Sequence, residues 1–176
     1  MRSLVALFFC AFSLACAGEL VGKRAPGFTL PDSSGQFFEP ADYRGRLLLV
    51  DFMQVTCPHC AEFSKILEKA KAKYGNRIAV LSVVNPPSDK NGVAKFIADN
   101  KVTSPILFDC GQVTFSYVRP KSTSLPIPHI FFIDADGVIK NDIAYGPATK
   151  DVFEGNALFP EIDRLLAAPK APAKKK

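Results

Sequence analysis

The chain has 176 residues, 48% hydrophobic and 22% charged, with 15 Phe, no Trp and a formal net charge of +5. The excess charge sits at the ends: with Arg2 and the tail lysines Lys170, Lys174, Lys175 and Lys176 set aside, 17 basic residues face 17 acidic ones. A balanced body without a basic cluster argues against nucleic acid as a partner, and the length suits one domain with a phenylalanine-rich core.

Met1 to Ala17 joins a basic Arg2 to an apolar run, Leu4 to Ala15, and closes on small residues. This predicts a secretory signal peptide over 1–17 with cleavage after Ala15-Cys16-Ala17, because the run is shorter than the roughly 20 residues that span a bilayer as a helix. The competing reading is membrane attachment through a lipidated Cys16, although Ser13 stands where that motif usually has Leu. Cleavage after Ala17 removes Cys10 and Cys16. The body, 18–168, then keeps Cys57, Cys60 and Cys110, an odd number for an oxidising compartment.

Between Val21 and Tyr43, the turn residues Ser33-Ser34-Gly35 separate two short apolar runs and predict a hairpin. Arg44-Gly45-Arg46 feeds Leu47 to Phe52, whose near-continuous apolar character is that of a strand covered on both faces by helices. Asp51 interrupts that run, and a carboxylate there is expensive to bury. If buried, its pKa rises; the plainer reading is a strand-edge aspartate with a hydrogen-bonded partner.

Then comes Thr56-Cys57-Pro58-His59-Cys60, at the start of a helical pattern. Pro58 suits the first helical position, so Cys57 falls at or beside the N-cap, where orphan backbone N–H groups favour a thiolate. Cys60, one turn on, faces inward. A pair at this spacing closes and reopens a disulfide without rebuilding the fold. Half of a structural zinc site and a permanent staple are the alternatives. Zinc wants four ligands, however, and only Cys110 and two histidines remain; a CxxC between strand and helix points to redox chemistry.

Downstream, Phe63, Leu67, Ala70 and Tyr74 recur at helical spacing up to Gly75-Asn76. Ile78 to Val84 reads as a strand, Val93, Phe96 and Ile97 mark a helix ending at Asn100, Ile106 to Phe108 is a third strand, and Gln112 to Tyr117 a short helix. This alternation implies parallel crossovers. Cys110 is expected to be a buried thiol, with a third redox thiol as the alternative. Pro128, lacking an N–H, must be the first residue of the strand that runs to Asp134. Asp134-Ala135-Asp136-Gly137 is a hairpin turn whose spacing does not fit a calcium loop. A last helix, Lys150 to Ala167, is expected to be interrupted at Gly155-Asn156 and Pro160. The tail 169–176, of Pro, Ala and Lys, reads as disordered.

Three segments together resemble the thioredoxin-like superfamily, and within it the exported TlpA/ResA-type thiol-disulfide oxidoreductases: Gly22 to Leu30, the strand followed by CxxC, and Pro128 to Asp134. The resemblance implies an α/β thioredoxin fold, with an N-terminal β-hairpin extension and a central mixed sheet flanked by helices. It implies Cys57 as nucleophile, Cys60 as resolving thiol, and a cis Ile127-Pro128 whose backbone pairs with substrate. Asp51 takes the place of the buried acid of thioredoxin, a proton acceptor for Cys60. The pair Pro58-His59 is similar to that of DsbA-type oxidants, with His59 donating to the Cys57 thiolate; His129 is expected to approach the same sulfurs. The implied partners are protein thiols and disulfides and a membrane or periplasmic redox protein, with no cofactor and no metal. The rivals are a Cu(I) module using Cys57, Cys60 and His129, as in Sco-like chaperones, and a peroxiredoxin. The first family has three residues between its cysteines, and the second has a Pro-x-x-x-Thr-x-x-Cys pattern that is absent around Cys57.

Overall fold

The computed structural model describes residues 19–119 and 125–168. The expected signal peptide, Cys10, Cys16 and the tail 169–176 lie outside the described residues. The N-terminal hairpin pairs β1 (Leu30–Pro31) with β2 (Phe37–Phe38). The sheet is built on β3 (Leu47–Met53), all seven residues of which are buried, as its apolar run requires. After β3 come α1 (Pro58–Tyr74), β4 (Ile78–Val84), α2 (Lys90–Asn100), β5 (Ile106–Phe108), α3 (Gln112–Val118), β6 (His129–Ile133), β7 (Ile139–Ala144), α4 (Lys150–Phe153) and α5 (Leu158–Ala167).

The sheet order is β5-β4-β3-β6-β7. β3 runs parallel to β4 and antiparallel to β6, with Asp51 opposite Ser82 on one side and Ile130 on the other. The pleat sorts the side chains into two cores. Leu47, Leu49 and Phe132 meet Phe63 and Leu67 of α1 and Ile162 of α5; Leu48, Val50, Phe52 and Phe131 meet Tyr117 of α3 and Phe28 of the N-terminal segment. That segment crosses the second face from edge to edge. Gly22 N–H donates to the Ile139 carbonyl at 2.8 Å and Ile139 N–H to the Lys23 carbonyl at 2.9 Å, while Asp32 bridges to Leu107 of β5.

Helix ends follow their local chemistry. α1 starts on Cys57 with Pro58 behind it and stops at Gly75, whose φ of 55° is in the region where glycine is least strained. α2 is capped by Asp89, which accepts the Gly92 N–H at 2.7 Å.

Three expectations need correction. Pro128 precedes β6 and is not its first residue, so the strand begins at His129, which has an N–H to give. Pro160 does not interrupt the C-terminal helix: it is the third residue of α5, where backbone N–H groups have no intrahelical acceptor and a missing one costs little. The break falls between Phe153 and Leu158 alone, across Gly155-Asn156. Cys110 is exposed, not buried. Its neighbour Asp109 takes the interior place at that corner, accepting the Val113 and Thr114 N–H groups at 3.2 and 2.8 Å and capping α3.

Candidate active site

β3 delivers the chain to the site, and Gln54 to Thr56 turn it into α1. Cys57 is the N-cap residue in extended conformation, and its sulfur accepts the Cys60 N–H at 3.3 Å. Cys57 is half-buried and Cys60 fully buried, both as free thiols. Cys60 packs with Met53, Val84, Phe96 and Ile106, and Ile127 lies against the same cluster. One sulfur is thus open to a partner and the other is sheltered behind it.

Asp51 is completely buried, and neither carboxylate oxygen has a hydrogen-bond partner among the described residues. Burial raises its pKa from 3.8 to about 8. The Cys60 thiol is likewise pushed up, first by burial and then by the negative charge of Asp51. The two groups do not readily ionise together, so a proton taken from one is best held by the other.

Pro128 is buried beside half-buried Ile127, and the peptide bond between them is cis. His129 does not join the sulfurs. Its partner across the β3–β6 ladder is Phe52, so the pleat sends its ring to the face opposite α1, where it stacks on Phe131 and its Nε2 lies 2.5 Å from Asp142 Oδ1. The same geometry denies the copper reading its histidine. Among the described residues no group of three or more His, Cys, Asp or Glu side chains is placed to hold a metal ion.

His59 is exposed on the first turn of α1 and makes no hydrogen bond to Cys57 among the described residues. Its ring stacks instead on Tyr145, with centroids 4.3 Å apart and planes 23° apart. Tyr145 also donates its backbone N–H to the Pro128 carbonyl at 2.9 Å. It therefore touches both halves of the site. Nothing in the sequence around Ala144-Tyr145-Gly146 signals this, because the contact depends on how β7 returns beside β6. A separate cavity lined by Leu47, Arg77, Asp134 and Leu165, among others, contains none of the expected site residues.

Comparison with known proteins agrees with this architecture. The AhpC/TSA family pattern matches residues 21–142. The chain is 29% identical over 135 residues to the thioredoxin-like protein YneN of Bacillus subtilis, covering 76% of each chain. It is 30% identical over 135 residues to the thiol-disulfide oxidoreductase ResA of Geobacillus kaustophilus, covering 76% of this chain and 74% of that one. Among solved structures, a protein assigned as the thiol:disulfide interchange protein DsbE of Chlorobium tepidum superposes with a TM-score of 0.68 at 25% identity, over 84% of this chain and 98% of that one. With a thioredoxin-type sheet, a CxxC at the head of α1 and thiol-disulfide oxidoreductases among its relatives, the chain belongs to the AhpC/TSA family.

Proposed function

We propose that the protein is an exported thiol-disulfide oxidoreductase acting on protein thiols and disulfides, with a signal peptide over 1–17, a catalytic body over 18–168 and a solvated tail. The observation that carries the chemistry is the asymmetry of the two sulfurs: Cys57 is accessible at a helix N-cap, and Cys60 is buried beside a carboxyl group that has no partner among the described residues.

In the reducing direction the Cys57 thiolate attacks one sulfur of a substrate disulfide. A Cys57–substrate bond forms as the substrate S–S bond breaks, and the other substrate sulfur leaves with the electron pair. Cys60 then gives its proton to Asp51 in its ionised form and displaces the bound sulfur, closing the Cys57–Cys60 disulfide. Two electrons have passed to the substrate. The oxidising direction is the reverse, beginning with a substrate thiolate on Cys57. The backbone of Ile127, at its cis bond to Pro128, holds the substrate segment against the sulfurs, and His59, on the turn that carries Cys57, is the side chain whose placement governs the stability of the reduced pair. A membrane or periplasmic redox protein resets the cycle.

The test is equilibration of residues 18–176 with glutathione. A reversible two-electron couple that disappears in Cys57→Ser supports the reading, and absence of any couple overturns it. A potential near roughly −270 mV would mark a reductant and one near roughly −120 mV an oxidant. Cys60→Ser should accumulate the mixed disulfide with a disulfide-bearing peptide, visible as an added mass that thiol reductant removes.

A further inference from the structure

The motif residue best placed to tune Cys57 is not pointed at it. His59 lies two residues from Cys57 on the first turn of α1, yet the sulfur takes its hydrogen bond from the Cys60 N–H, and the imidazole lies flat on Tyr145. Tyr145 is itself fixed from two directions. Its N–H is bonded to the Pro128 carbonyl, and the edge of its ring packs on Phe153 with centroids 5.4 Å apart. Its backbone is thus held at the Pro128 loop while its ring rests against Phe153. His59 has no comparable anchor: its ring is exposed and borders an open groove shared with Glu62, Ile66 and Lys150.

We propose that Tyr145 is a positioning residue that parks His59 away from the Cys57 sulfur and so sets the redox poise of the pair. An imidazole beside the sulfur would donate to the thiolate and favour the reduced form, which makes the couple more oxidising. Stacked on Tyr145, it withholds that contribution. The hydrogen bond from Tyr145 to Pro128 links the parking to the loop against which a substrate segment would lie, so a partner that shifts this loop also shifts the stacking surface. This inference rests on the exchange chemistry proposed above.

The experiment compares glutathione equilibria of the wild type, Tyr145→Phe, Tyr145→Leu, His59→Ala and the His59→Ala/Tyr145→Leu double variant. Tyr145→Leu, which keeps an apolar side chain against Phe153 but loses the stack, should favour the reduced form by about tenfold, which is about 30 mV for a two-electron couple. Tyr145→Phe should stay within about twofold of wild type, and Tyr145→Leu should have no further effect once His59 is alanine. A Tyr145→Leu equilibrium equal to wild type, or a shift that persists without His59, overturns the proposal. If Tyr145→Leu does not fold, the His59 ring protons of the wild-type protein decide the matter by NMR. They should be displaced upfield by the Tyr145 ring and lose that displacement in no variant that keeps an aromatic at 145; unshifted protons overturn it. Loss of the wild-type couple itself would count against the exchange reading, independently of Tyr145.

Discussion

The protein contains two places where an aspartate and a cysteine meet at a strand, and they are resolved in opposite ways. At the β5–α3 corner, Asp109 is buried and accepts two backbone N–H groups, with the Thr114 hydroxyl 2.9 Å away, while its neighbour Cys110 faces solvent. Under α1, Asp51 is buried with no hydrogen-bond partner among the described residues, and the thiol beside it, Cys60, is buried too. A carboxylate supplied with donors is a structural joint, whose value is lost when the donors are left unmet. A carboxyl group without donors destabilises the fold when it ionises and therefore has a proton to trade. The same pair of residue types thus makes a helix cap in one region and, in the other, a carboxyl group and a thiol buried side by side.

Asp51→Asn should break this contrast most. Because the folded-state pKa is raised from 3.8 to about 8, the native protein holds a proton that the unfolded chain has lost. Stability from this group is therefore fully present below about pH 4 and falls as pH rises toward 8. Removing the ionisation should stabilise the protein by on the order of 3–4 kcal/mol at pH 7 and flatten the urea-midpoint profile between those limits. Resolution should be slowed at the same time, by about 100-fold or more, since a general base contributes factors of that size. Rapid quench of the mixed disulfide measures it. A variant that is less stable at pH 8, or that resolves at the wild-type rate, would place Asp51 with Asp109 as a structural group.

Asp109→Ala should do the reverse, costing about 2–3 kcal/mol in urea unfolding through the lost cap and hydrogen bonds while leaving turnover intact. The smallest effect is expected of Cys110→Ser, within about 0.5 kcal/mol of wild type and with unchanged disulfide exchange. In the native protein Cys110 should be alkylated by iodoacetamide in the absence of denaturant and Cys60 should not; protection of Cys110 would overturn the exposed corner.

Much of this was legible from residues alone, for identifiable reasons. The Leu47 to Phe52 run is apolar on both parities, so the burial of the strand follows without knowledge of its neighbours, whereas the sequence leaves Asp51 between the interior and a strand edge. Pro58 marks the first helical residue, and that locates Cys57 at the cap. The side of the sheet taken by His129 was not legible, because it turns on the register of β6 against β3, and a shift of one residue would reverse it. Cys110 was misplaced for a related reason. Two adjacent residues competed for one interior position, and the polar one won because α3 begins with N–H groups that only a carboxylate or a turn could satisfy; Gly111, with a φ of 110°, makes the reversal possible. Tyr145 stands 86 positions from His59 and meets it only after β7 has paired with β6.

The N-terminal segment that crosses the sheet bears on how the molecule is made. Its first contacts, from Gly22 and Lys23, go to Ile139 on the outer edge of β7, and its later ones, at Asp32, to the outer edge of β5. It precedes every strand of the five-stranded sheet in the chain and cannot close the β7 edge until the last strand has emerged. Until then the sheet has an uncovered edge, which is the condition under which strands of neighbouring chains recruit one another. The segment is thus a closure fitted last, and changes that loosen it, such as Tyr117→Phe, which removes the hydroxyl donating to the Pro26 carbonyl at 2.6 Å, would act first on the yield of soluble protein and only afterwards on the finished enzyme.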